Sequence, residues 1–586
     1  MDVKRSQTST FCVRYLPPQA GRFCHGKKPM AEPLSIFEQF YSRQKLFKDL
    51  SDDDAKLEWR KVLESLKTPL PVTFRWNDAD DFHGKVNQEK VSCLRILSDS
   101  GINVKKLSFT SAWQLSVDAN TLGERKGSKA LRWIVAATRS GIISRQEVAS
   151  MIPVALLDVQ PGHRVLDMCA SPGSKTRQAL ERLCKGIAAV DEDDTGLVIA
   201  NDCNLKRSFV IANRCNVLGL NTQRLAVIHH KGQRIPNVAI EASSMSSTLQ
   251  ARGGRNAIVV EEGQFDRIIC DVPCSGDGTI RKDNIVWHRW HPEFSMELHV
   301  LQVQIAMRGI SLLKVGGIMA YSTCTFSPLE DEAVVSELLR RCGNAIELVK
   351  CELPNFRCGK GISKWAVLND DLEELSLEDV PNQKILATSM FPSGQKHLSR
   401  CLRVFPHYED TGGFFICLLR KVKPLPPLQQ TGKSGNRSEC GRAKRSRLYK
   451  QNLEEARMHS RVMNGQHFYP LPENLQQDLR RCYTSSFVRR ARLFSRSGMY
   501  NSVSLTSNNL AKYCFEHPGS NRLHIVSAGF CCFEKRQGKA SNKRGMDAVE
   551  SMEGVSVYRP HRKLRKRVMK QVHGLSRHED KTCEFV

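Results

Sequence analysis

From Val154 onward, short apolar runs alternate with polar or amphipathic stretches long enough to be helices. The runs are RVLDM (164–168), GLVIAND (196–202), RLAVIHH (224–230), FDRIICDVP (265–273), GGIMAYSTC (316–324), CLRVFP (401–406) and GGFFICLLRK (412–421). Strands separated by crossovers of this length predict an α/β fold with a parallel, doubly wound sheet, closed by an antiparallel pair formed from the last two runs. Between Met296 and Leu313 the apolar residues Leu298, Leu301, Ile305 and Leu312 fall close to one helical face, predicting a crossover helix before GGIMAYSTC. Upstream, IFEQFYSRQKLF and AKLEWRKVLESLK read as helices leading into the strand-like TPLPVTFRWN.

The remaining segments carry less periodicity. Residues Lys231 to Gly263 are rich in Ser, Gly and Arg and read as an inserted loop, and the Pro- and Gly-rich basic stretch after Lys421 reads as a linker. Alternation returns in MYNSVSLTS and LHIVSAGFCCF, predicting a small β-rich domain. The expected organisation is an extension over 1–32, a lead-in region over 33–150, the sheet domain over 151–421, a linker over 422–462, the small domain over 463–536 and a basic disordered tail over 537–586.

Charge changes this picture at one end. Of the 586 residues, 88 are Lys or Arg and 61 Asp or Glu, a net +27, and residues 421–586 hold 33 basic against 13 acidic side chains. A positive field of this size attracts polyanions by releasing their counterions, so nucleic acid is the leading partner and an anionic surface the next. The clusters GRAKRSRLYK and RPHRKLRKRVMK contain Lys444, Arg445, Arg447, Arg562, Lys563, Arg565, Lys566 and Arg567. They read as phosphate contacts or nuclear import signals, against a solvated tail with no dedicated partner. The nucleus, with the nucleolus within it, is the expected location. An organelle transit peptide in the basic first 29 residues, or a cytoplasmic location, is the alternative. Twenty-one cysteines are too sparse for a disulfide scaffold, and no uncharged apolar stretch approaches the ~18 residues of a membrane helix, so neither disulfides nor a membrane enters the expectation.

Three stretches carry chemistry. VLDMCASPGSKT has the strand–turn–helix shape at which open α/β sheets hold a cofactor, with the turn at Ser171, Pro172, Gly173 and Ser174, although an ordinary strand-to-helix turn has the same shape. It is neither GxGxxG nor a P-loop despite Lys175. An acid ending the second strand commonly accepts ribose hydroxyls. Asp202 is favoured over Asp191, which opens the solvated-looking cluster DEDDTG. ICDVPCSGDGTIR places Asp271 and Cys274 after a strand, and YSTCTFSP places Cys324 at the end of the next, so two thiols and a carboxylate gather at adjacent strand ends. A lone cysteine is usually an inert buried side chain, but three converging polar groups suggest a site. Zinc is rejected because no CxxC is present, and a nucleobase deaminase because Asp277 stands where its second cysteine belongs.

Together, LDMCASPGSKT, CDVPCSGDGT and YSTCTFSPLEDEAV resemble the cofactor, Pro-Cys and Thr-Cys motifs of the Sun (Fmu-type) RNA cytosine-5 methyltransferases, and are most similar to the eukaryotic multisite tRNA members. SGIISRQEVASMIP, IRKDNIVWHRWHP and LSRCLRVFPHYEDTGGFFICLLRK support the resemblance, which covers roughly residues 33–421 and, more weakly, a PUA-like RNA-binding domain over 463–536. It implies a Rossmann-like class I methyltransferase sheet acting on RNA, with tRNA as substrate. The implied methyl donor is S-adenosyl-L-methionine, held by Cys169, Ala170, Ser171, Pro172, Gly173, Ser174, Lys175, Asp202 and Asp271. By resemblance Cys324 is the nucleophile that adds to cytosine C6, Cys274 assists release, and Asp271 meets the pyrimidine edge. No metal is implied. One departure is Lys231, in VIHHKGQRIP, where the subgroup carries an acid toward the cofactor's adenine. An ammonium cannot accept a hydrogen bond, so a catalytically weak or inactive RNA-binding relative is the rival reading, with His230 or the inserted loop as compensation. A DNA-type enzyme is the weaker third reading, since its nucleophile would sit in the Pro-Cys motif. The basic C-terminal region is expected to supply RNA affinity rather than chemistry.

Overall fold

The computed structural model describes residues 33–47, 49–79, 83–124, 129–186, 196–237, 263–395, 397–425, 468–482, 492–495, 502–516, 523–535 and 558–560. The 1–32 extension, Asp191, the linker beyond residue 425 and all eight basic residues singled out for RNA contact lie outside these residues.

The lead-in begins with α1 (Pro33–Arg43) and α2 (Asp52–Leu66), the second capped by Ser51, whose hydroxyl accepts the Asp54 N–H. Then come β1 (Pro71–Trp76), α3 (His83–Asp99), β2 (Val104–Leu107), β3 (Ala112–Asp118), α4 (Ala119–Glu124), α5 (Lys129–Ser140) and β4 (Ile143–Arg145). The four strands form an antiparallel sheet in the order β2-β3-β1-β4. TPLPVTFRWN is therefore a central strand. The fully buried Arg75 on it pairs with Glu181 of the larger domain, which also pairs with Arg177 at 2.8 Å. A buried charge triad tolerates little slack, because removing one partner strands the others. It fixes the lead-in on the larger domain.

That domain runs α6 (Val148–Leu156), β5 (Arg164–Asp167), α7 (Ser174–Leu183), β6 (Leu197–Asn201), α8 (Leu205–Cys215), β7 (Leu225–Ile228), β8 (Phe265–Asp271), α9 (Ile285–Arg289), α10 (Phe294–Leu312), β9 (Leu313–Thr323), α11 (Glu332–Cys342), β10 (Ile346–Val349), β11 (Gly359–Lys360), β12 (Leu402–Val404), α12 (Pro406–Glu409) and β13 (Phe414–Lys421). All seven apolar runs are strands. β7, β6, β5, β8 and β9 are parallel, and β13 pairs antiparallel with both β9 and β12, the closing pair expected. Side chains alternate between two cores: Leu166, Ile199, Ile228, Ile268 and Met319 face one, and Val165, Val198, Val227, Ile269 and Ala320 the other. Both faces are covered, which is why these strands read as unbroken apolar runs. Succession runs β5-β6-β7 to one side and then reverses to β8-β9 on the other. The fold is thus a Rossmann-like α/β sheet whose ligand crevice lies beyond the carboxyl ends of β5 and its neighbours.

Two expectations shift. α10 is the crossover helix, but its buried face holds Met296, Val303, Ile305 and Ile310, while Leu298 and Leu301 are only half-buried. Three polar residues are buried on this helix because each is paired: Ser295 donates to the Pro292 carbonyl at 3.1 Å, Gln302 donates to the Pro273 carbonyl at 3.0 Å, and His299 bridges the Leu329 carbonyl and Ser389 Oγ at 2.6 and 2.8 Å. The second shift concerns the C-terminal region, which contains β14 (Tyr469–Pro470), α13 (Glu473–Cys482), β15 (Arg492–Ser495), β16 (Ser502–Thr506), α14 (Asn508–Ala511), β17 (Ile525–Ala528), β18 (Phe530–Lys535) and β19 (Tyr558–Pro560). It is β-rich, with a sheet ordered β14-β15-β16-β18-β19. β17, however, leaves that sheet and pairs antiparallel with β7, extending the large sheet by a strand. Leu510, Tyr513, Leu523 and Ile525 belong to the core of the larger domain. The alternation in LHIVSAGFCCF marks strands but not their partners, because register between distant segments is a tertiary property.

Candidate active site

Every sequence-predicted chemical residue among those described stands at the carboxyl ends of the parallel strands. Cys169 to Lys175 follow β5, Asp202 follows β6, Asp271 ends β8, and Cys324 follows β9. After β5 the chain turns through Gly173 at φ +96°, a left-handed conformation that suits glycine. A Cβ there would lie 3.2 Å from the Ile211 backbone. α7 then starts with its N–H groups toward the crevice. Asp202 is buried and accepts the Ser171 and Asn204 N–H groups at 3.3 and 2.9 Å, with Arg207 3.3 Å away. Burial nonetheless holds its carboxyl above the usual range.

Lys175 is placed differently from a phosphate ligand. It reaches across from α7 to donate to Asp271 Oδ2 at 2.9 Å and to Ser150 Oγ at 2.9 Å, over the Phe414 ring. Burial opposes its charge, but Asp271 outweighs that and raises its pKa, with smaller help from Asp167 and Cys324. Ser322 donates to the other Asp271 oxygen at 2.8 Å. Asp271 is therefore a fixed carboxylate on the floor of the crevice. Asp167, fully buried behind it, is pushed up to about 7 by desolvation.

The two thiols meet. Cys274 Sγ and Cys324 Sγ are 3.3 Å apart, and the Cys324 N–H donates to Cys274 Sγ at 3.3 Å. The hydrogen bond to Cys324, followed by burial, drives the Cys274 thiol well above its ordinary pKa. Gly278 holds the Cys324 carbonyl from the facing turn through its N–H at 2.9 Å, and a Cβ at Gly278 would collide with the Gly413 carbonyl at 2.3 Å.

Several supporting residues were not found from sequence. Glu330 accepts the Ser275 N–H at 2.9 Å directly beside the Pro-Cys turn, and burial pushes its carboxyl up to about 8. Asp277, which the sequence marks only as the wrong residue for a deaminase, accepts from Tyr41 of α1 and from the Phe326 N–H at 2.9 Å, so it links the two cysteine turns. Asn201 bonds the Met168 carbonyl and both backbone groups of His230. Glu330 lay in view within YSTCTFSPLEDEAV. No sequence signal pointed to Tyr41. Lys231 is exposed where the chain leaves β7.

Fold and site together define a class: an open α/β sheet with a cofactor-type turn after its first strand and a cysteine pair beside a fixed carboxylate. Residues 154–420 match the model of the 16S rRNA methyltransferase RsmB/F family. The chain is 37% identical over 438 residues to a multisite-specific tRNA:(cytosine-C(5))-methyltransferase of Schizosaccharomyces pombe, spanning 70% of this chain and 62% of that protein. It is 37% identical over 383 residues to its namesake in Saccharomyces cerevisiae, spanning 62% and 53%. The chain thus matches between half and two thirds of the length of these relatives. Among solved structures, that of NSun6 from Pyrococcus horikoshii with SFG is 16% identical, with a TM-score of 0.43, over 66% of this chain and 98% of that one.

Proposed function

We propose that the protein is an S-adenosylmethionine-dependent RNA cytosine-5 methyltransferase acting on tRNA. The observation that carries this reading is the Cys274–Cys324 contact of 3.3 Å beside Asp271. The donor set suits the cofactor. N–H groups opening α7 match its carboxylate, the Asp202 carboxylate matches its ribose diol, and the left-handed turn at Gly173, with no side chain, admits close backbone approach. When bound, the cofactor supplies an electrophilic methyl group.

The chain's own residues prepare the base. Cytosine C5 is a feeble nucleophile, so the Cys324 thiolate adds to C6, and the electron pair of the C5–C6 bond becomes available at C5. Asp271, held by Lys175 and Ser322, meets the pyrimidine edge and favours the protonated ring as charge develops there. After C5 is alkylated, a base removes its proton. The pair left behind re-forms C5=C6 and expels Cys324 as thiolate. Cys274, protonated in the resting pair, assists that release directly or through a water. The basic C-terminal residues would hold RNA phosphates, which position without reading sequence, and they also favour a nuclear location.

The test is methylation of unmodified tRNA transcripts by the full chain with S-adenosylmethionine, mapped by bisulfite sequencing. Protected cytosines are expected. RNA binding without any protected cytosine would support the inactive relative that Lys231 brings into question.

A further inference from the structure

The edge of the crevice beyond Asp202 is built partly by the C-terminal region. β17 pairs with β7 so that Ile525, its first residue, faces Ile228, the last residue of β7. The residue before β17, His524, is thereby delivered to the carboxyl edge of the sheet. Its carbonyl accepts the His229 N–H at 2.9 Å, and its N–H donates to His230 Nε2 at 3.0 Å. The His230 and His524 rings stack with centroids 4.6 Å apart and planes 19° from parallel. Asn201, at the end of β6, fixes His230 through both its backbone groups. Four strand ends are thus tied into one rim, with His524 exposed and His230 half-buried.

A ligand whose carboxylate end sits at the turn after β5 and whose diol meets Asp202 after β6 continues toward β7. Neighbouring strands are ~4.8 Å apart, so β5 to β7 is about 10 Å, the reach of a nucleoside from its 5′ substituent to its base. The side chain leaving β7 is Lys231, which donates but cannot accept from an exocyclic amine. Recognition at this end therefore falls to a flat surface. We propose that His524, seated on His230, is the stacking platform for the adenine of S-adenosylmethionine, a cofactor contact supplied by the C-terminal region. This rests on the cofactor assigned above. Of the two regions expected to act separately, the second then completes the first's cofactor site.

The test uses the full chain and S-adenosylhomocysteine as calorimetric probe. His524→Ala should weaken binding by about tenfold, within the range that base–aromatic stacking supplies. His524→Phe, which keeps a ring, should stay within about twofold of the parent. Thermal stability without ligand and tRNA affinity should be unchanged in both, since the strand pairing uses backbone groups. Equal binding by the parent and His524→Ala overturns the proposal, as does loss of binding in Ala and Phe variants alike with a lowered melting temperature. A parent that binds no S-adenosylhomocysteine overturns the cofactor assignment itself.

Discussion

Glu330 places a buried acid beside the Pro-Cys turn. Its carboxyl is pushed up to about 8 by desolvation, while in the unfolded chain it titrates near the ordinary glutamate value. Between these two values the unfolded state has released a proton that the folded state keeps. Stability from this group is therefore fully present below the unfolded value and is lost as pH rises toward 8. Glu330→Gln, which mimics the protonated carboxyl toward the Ser275 N–H, should flatten the fall in melting temperature between pH 5 and pH 8 and be the more stable protein at pH 8. Parallel pH profiles would show that Glu330 ionises in the folded protein much as it does in the unfolded chain. Asp271, Cys274 and Cys324 could be read from sequence because each follows an apolar run that forms a strand. Glu330 could not, because its role depends on Ser275, 55 residues away in the chain.

At the scale of elements, α1 closes the back of the site. Phe37, Phe40 and Tyr41 are buried against Trp287 and Trp290 of the segment after the Pro-Cys turn, and Tyr41 donates to Asp277. Burial and the Asp277 charge hold the tyrosine far above its usual pKa, so it remains a donor throughout the physiological range. Removing a donor from a buried carboxyl costs ~1–3 kcal/mol. Tyr41→Phe should lower the unfolding free energy by about that amount in urea titrations, and a change below ~0.5 kcal/mol would mean that Asp277 is satisfied without it. Sequence reading made the helix legible in IFEQFYSRQKLF but not the burial of its aromatic residues. It left the partner of the helix open, since a local pattern does not show what a helix packs against. The same holds for α10, whose paired polar residues His299 and Gln302 shifted the buried face away from the row read from Leu298 and Leu301.

For the whole molecule, β17 makes the C-terminal region part of the large sheet. Deleting residues after Lys421 would uncover the β7 edge and remove Tyr513, Leu523 and Ile525 from the core of the larger domain. The truncated chain should melt at a lower temperature and bind S-adenosylhomocysteine more weakly. Its RNA affinity should also show a flatter log–log salt slope, by ~0.7–0.9 for each phosphate it no longer neutralises. A truncated chain with unchanged melting temperature would show that the catalytic sheet is complete at β7. Charge counting marked this region as a candidate polyanion binder from composition alone. Its structural tie to the cofactor edge was not legible, because it depends on a strand crossing from one sheet to another.

The central claim is the division of labour between the two thiols, and the direct measurement is denaturing electrophoresis of each variant after incubation with tRNA and S-adenosylmethionine. Cys324→Ala should give neither methylation nor a covalent complex, because no bond to C6 can form. Cys274→Ala should accumulate a nuclease-sensitive protein–RNA adduct that fails to resolve. A misfolded protein would lose both signals together, so opposite responses from two such similar deletions report mechanism. An adduct retained in Cys324→Ala and lost in Cys274→Ala would move the nucleophile to the Pro-Cys turn, and methylation that survives in both variants without any adduct would contradict covalent catalysis by this pair.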